Sequence, residues 1–189
     1  MTDPLALDVR DRLPDALRVL VEEYPRDAWE ENAGFNALIR FWLDRHLMFR
    51  RITERLTAET EAALDGGDPA RFAQALSRLG STLVGELQMH HRIEDAHYFP
   101  VLASKEAKVA RGFEILDSDH HILASRLETF VTEANTVLGG LRDSKDPKTL
   151  IAGFGGGLSG LDRLLDRHLQ DEEELVVPVI LKHGAAGLQ

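Results

Sequence analysis

One pattern occurs twice in this chain and restricts its fold more than any other feature. HHRIEDAHYFP opens on His90, and RHLQDEEELVVP carries the matching histidine, His168. In each copy a glutamate follows the histidine by four residues (Glu94, Glu172), an acid comes next, and a proline stands at +10 (Pro100, Pro178). Asp68-Pro69 and Asp146-Pro147 precede the two histidines at one and the same interval. Aspartate before proline is a helix N-cap followed by a residue suited to the first turn, so each copy reads as a helix with matched start and stop signals.

Two further histidines turn the repeat into a pair of hairpins. His46 lies about 19 residues before the Asp65-Gly66-Gly67 stop, and His120 precedes Gly139-Gly140 by 19. His90 and His168 each follow their proline by 21 residues. Because every helical residue adds about 1.5 Å to the axis, antiparallel neighbours would bring all four histidines to one layer. Apolar residues recur at helical spacing around them. Phe35, Ile39, Trp42 and Phe49 mark a helix from about Asn32 to Leu64, and Phe72, Leu76, Leu79, Leu83 and Leu87 one from Pro69 to near Pro100. Leu116, Leu123, Leu127 and Phe130 mark a third over about Lys105–Leu138, and Leu150, Phe154, Leu161 and Leu165 a fourth reaching Pro178. No strand pattern competes. The expected fold is all-α: an up-down-up-down four-helix bundle over residues 32–189, preceded by an N-terminal extension, 1–31, with one short amphipathic helix carrying Leu17, Leu20 and Val21.

Composition removes several function classes. The net charge of −10 and the lack of a basic cluster argue against nucleic acid and anionic membranes as partners. There is no cysteine, which excludes disulfides, thiolate metal sites and iron–sulfur clusters. The acidic start MTDPLALDVRDR has no apolar signal-peptide core, and no apolar run approaches the roughly 18 residues that span a bilayer, so a cytosolic location is expected.

Histidine and glutamate at i and i+4 share a helix face and can meet one metal, or the glutamate can reach a second. His46, His90, Glu94, His120, His168 and Glu172 together exceed what one zinc requires. They suit two metals with bridging carboxylates, leaving positions for water, an oxo or hydroxo bridge, or a small ligand. Imidazole and carboxylate favour iron over carboxylate-rich manganese sites, so two oxo- or hydroxo-bridged Fe ions are expected. Read singly, such histidines would be core residues, and Asp171–Glu174 a solvated face.

These motifs resemble the hemerythrin-like family, the HHE cation-binding domain, over residues 32–181. The resemblance implies the same six ligands and an up-down bundle. Oxygen-carrying members have two histidines four apart on the third helix, where this chain has Leu116 and Ala124 on either side of His120, and they place the last acid at Glu173 rather than Glu172. His97 and His91 are alternatives for a fifth histidine; His121 falls on a polar face. Five glycines between Gly153 and Gly160 admit two readings, close packing or a gap for a small ligand. The expected function is a di-iron protein binding O2, NO or peroxide. Alternatives are a catalase- or peroxidase-like enzyme and a zinc-bound or metal-free interaction module.

Overall fold

The computed structural model describes residues 3–141 and 146–188; Met1 and Thr2 of the extension and Gln189 at the end of the bundle segment lie outside the described residues. Every regular element among the described residues is helical: α1 (Val19–Glu23), α2 (Ala37–Leu64), α3 (Pro69–Ile93), α4 (Phe99–Lys105), α5 (Ala110–Gly140) and α6 (Pro147–His183), with short 3-10 turns between some of them. None is long and apolar enough to cross a membrane.

The start signals act where the sequence places them. The Asp68 side chain accepts a hydrogen bond from the Ala70 N–H at 2.9 Å, and Asp146 accepts one from Thr149 at 3.2 Å. Each satisfies a donor that the first turn leaves unpaired. The first long helix begins at Ala37 rather than near Asn32, because Asn36 is its cap: Asn36 Oδ1 accepts from the N–H groups of Leu38 and Ile39 at 3.0 and 3.2 Å. The third begins at Ala110, after a turn at Ala107–Val109.

The two repeat prolines behave differently. Before Pro100 the chain widens into a π-turn, Glu94–Tyr98, in which the Phe99 N–H reaches back five residues to the Glu94 carbonyl. Proline has no N–H and its ring crowds the carbonyl four residues earlier; a wide turn just before it relieves both demands. At Pro178 the helix is expected to stop, yet α6 continues to His183. Val176, Val177, Val179 and Ile180 around it are at most 2% exposed, and their burial offsets the lost backbone bond.

Two compact units divide the chain. One comprises Met1–His46, His90–Ile122 and Asp166–Gln189. Its apolar core includes Leu13, Leu17, Leu20 and Val21 from the first residues, Ile39 and Trp42 from α2, Phe99 and Leu102 from α4, Phe113 and Leu116 from α5, and Leu175 to Leu181 from α6. The stripe read from Leu17, Leu20 and Val21 is therefore buried. The other unit comprises Leu47–Met89 and Leu123–Leu165, with Phe154 ringed by Phe72 and Phe130 at centroid distances of 6.2 and 5.6 Å.

The glycines of α6 lie in this second unit. Gly155 packs close to Thr60, where a Cβ would stand 3.2 Å from its methyl, and Gly157 lies against the Glu133 carboxylate. A Cβ on Gly153 or Gly156 would meet open space. Gly153→Ala and Gly156→Ala should therefore each stabilise the protein by about 1 kcal/mol, because alanine restricts the unfolded chain without a clash. Thermal or urea unfolding of each variant checks this; a loss of stability at either position would contradict it.

Candidate metal centre

All six residues read from the repeat, His46, His90, Glu94, His120, His168 and Glu172, lie in the first unit and come together there. His46, on α2, and Glu94, His168 and Glu172 are fully buried, and His120, on α5, is 4% exposed. His90 lies in the last turn of α3, and Glu94 opens the π-turn. The histidines meet in pairs through Nε2: His46 and His90 at 3.0 Å, His120 and His168 at 3.2 Å.

The two glutamates span these pairs. Glu94 Oε1 lies 2.9 Å from His90 Nε2, and its Oε2 lies 3.7 Å from His120 Nε2. Glu172 Oε2 is 3.5 Å from both His46 Nε2 and His168 Nε2. Two groups of atoms result, each compact enough to hold a cation: His46, His90, Glu94 and Glu172 in one, His91, His120 and His168 in the other.

His91 is the member of these groups left open by the sequence. Its ring stacks on His120 with centroids 3.9 Å apart and planes 10° from parallel, and its Nε2 is buried without a hydrogen-bond partner. Adjacency to His90 concealed it, since neighbouring helical residues point about 100° apart and are not read as one face. His97, the other alternative, is exposed and belongs to neither group. The wide turn at Glu94–Tyr98 changes the helical phase, so a residue three positions after Glu94 does not return to its face. His121 is exposed, as its polar face implies.

Outside the six stands a ring of acids. His46 Nδ1 pairs with Glu173 Oε1 at 3.0 Å, His120 Nδ1 with Asp95 Oδ1 at 2.7 Å, and His168 Nδ1 with Asp119 Oδ2 at 3.3 Å. A carboxylate on Nδ1 holds the proton there and turns the Nε2 lone pair inward, which is how metal-binding imidazoles are oriented. Trp42 Nε1 donates to His46 Nε2 at 2.9 Å, consistent with that tautomer. Asp171, Glu172 and Glu173 are all at most 4% exposed, so this stretch of the acidic run is not a solvated face. Asp119 and Asp95 directly adjoin His120 and Glu94 in sequence, the one signal that could have marked them.

The donor set fits cations on physical grounds. All four carboxylate oxygens of Glu94 and Glu172 are buried, and none makes a well-formed hydrogen bond. Desolvation, with Glu172 nearby, pushes the Glu94 carboxyl well above its usual range. Glu172 is held well below it, because His46, His168 and His90 outweigh its burial. Buried, unpartnered carboxylate oxygens are costly unless a positive charge faces them. In the metal-free protein His168 supplies one. Burial alone would lower its pKa, but Asp119 and Glu172 lift it to about 9.

The fold and this centre define a class: an all-helical protein with a buried histidine–carboxylate site for cations. Residues 37–180 match the hemerythrin HHE cation binding domain, and the chain belongs to that family. No curated protein and no solved structure matches it.

The site makes a specific demand on protons. With a pKa of about 9, His168 carries at pH 7 a proton that a metal must displace, whereas burial lowers His90 to about 3 and keeps it neutral. Metal uptake at pH 7 should thus release the His168 proton together with that of Glu94, whose carboxyl burial holds well above its usual range, and should strengthen at least tenfold per pH unit up to about pH 9. Calorimetric titrations in buffers of different ionisation enthalpy measure the release; uptake without it would contradict this assignment.

Proposed function

We propose that the protein is a non-haem di-iron protein that binds a small oxidant such as O2, NO or H2O2, in the cytosol. The observation that carries this reading is the set of four orphaned carboxylate oxygens on Glu94 and Glu172, each glutamate facing one histidine from either Nε2 pair. In this reading His46 and His90 would hold one metal and His120 and His168 the other, with Glu94 and Glu172 supplying carboxylate oxygens to both. His91 completes the second set, compensating from the second long helix for the extra histidine that oxygen carriers have on the third.

An iron pair would supply a redox-active Lewis acid with positions open to a small ligand. The chain's own residues bind, orient and shield. Glu173, Asp95 and Asp119 fix the tautomers of three of the histidines. The His91 and Phe99 rings both stack on His120, with centroids 3.9 and 5.4 Å away, and hold its plane. Trp42 stands edge-on to His46 and His90, with centroids 6.3 Å from each, and keeps water from that side.

Iron-replete expression followed by metal analysis should give about two irons per chain. Glu94→Gln together with Glu172→Gln should abolish both. His91→Leu should weaken one of the two metals by about tenfold or more, and His97→Leu should leave both within about twofold. Protein that stays iron-free, or equal effects at His91 and His97, would sink the reading. Sustained peroxide consumption by the loaded protein would favour the enzyme alternative; a stable O2 or NO adduct without turnover is the expected result.

A further inference from the structure

The N-terminal segment reaches both halves of the centre through arginines. Arg10 is 7% exposed, and its Nη1 donates to Asp119 Oδ1 at 2.9 Å while Nη2 closes a second bond to Asp119 Oδ2. Its Nε donates to Asp171 Oδ2 at 2.9 Å. Asp119 Oδ2 is the atom facing His168 Nδ1. On the other side Arg26 Nη1 donates to Glu173 Oε2 at 2.6 Å, and Glu173 Oε1 faces His46 Nδ1. One arginine–carboxylate–histidine chain thus ends on a histidine of each cation-sized group.

The segment is clipped in place between these points. The Leu13 N–H donates to Asp171 Oδ1 at 3.1 Å, and Arg167 bonds both Asp171 and the Asp11 carbonyl. Arg18 pairs with Glu174, midway between Arg10 and Arg26 in sequence, but Glu174 contacts no histidine among the described residues. Arg18 thus pairs with an acid of the same helix run without reaching a histidine.

We propose that Arg10 and Arg26 are positioning residues that set the electron demand of the two metal positions through Asp119 and Glu173. This rests on the di-iron reading above. A carboxylate facing an imidazole Nδ1–H draws on that proton and makes Nε2 a stronger donor. A guanidinium clamped on the same carboxylate neutralises it and limits the effect, and arginine keeps its charge at any working pH. Removing the arginine frees the carboxylate to pull harder and deletes a positive charge near the metals. Both changes favour ferric over ferrous iron, so they act in one direction.

Potentiometric titration of iron-loaded Arg26→Gln, Arg10→Gln and Arg18→Gln, alongside the unaltered chain, tests this. Arg26 is half-exposed, so its replacement should leave the fold intact even where the buried Arg10 variant fails to fold. Arg26→Gln should raise the ferric-to-ferrous binding ratio about tenfold, a potential lower by about 59 mV. Arg10→Gln, where folded, should shift it the same way, Arg26→Lys should restore it, and Arg18→Gln should change it less than about twofold. Equal potentials in the Arg26 and Arg18 variants would overturn the proposal while leaving the di-iron reading intact. Failure of the unaltered chain to bind iron would overturn both.

Discussion

Two glutamates buried side by side, with no well-formed hydrogen bond to any of their four oxygens, are the constraint on which the rest of this molecule depends. A folded chain tolerates such a pair only if positive charge is supplied among the groups around it. In the metal-free protein a protonated His168 supplies part of it, and burial beside Glu172 pushes the Glu94 carboxyl toward its neutral form. Two divalent cations would supply all of it. The inward-facing Nε2 atoms, the carboxylates holding Nδ1 and the arginines behind them all follow from that one electrostatic demand.

The N-terminal residues take part in meeting it. Arg10, Arg18 and Arg26 each pair with an acid on α5 or α6, while Leu13, Leu17, Leu20 and Val21 bury in the same apolar core. The segment therefore combines ordinary hydrophobic anchoring with charge compensation at the back of the site. Arg10 bonded on both sides between Asp119 and Asp171 is a buried ion-pair network, costly to break at one partner and dependent on precise placement.

The helical class and the six central residues were legible because both leave periodic marks. Apolar stripes at helical spacing identify the long helices, and a repeated histidine-to-glutamate interval places these histidines and glutamates at one depth. Backbone responses were less legible: the π-turn before Pro100 and the uninterrupted helix through Pro178 arise from the same residue type at the same repeat position, decided by packing around each. The outer acids were hidden, since Asp171 to Glu173 look like a solvated run until their burial is seen. Arg10 leaves no periodic signal at all; its partners lie 109 and 161 residues away. His91 was obscured by its neighbour His90.

The proposed metal pair would lie between His46, His90, Glu94 and Glu172 on one side and His91, His120 and His168 on the other. Anomalous diffraction at the iron edge, from crystals grown of iron-loaded protein, tests it most directly. Two peaks roughly 3.5–4 Å apart are expected, both within bonding distance of Glu94 and Glu172 oxygens. A single peak, or none between those glutamates, would contradict it.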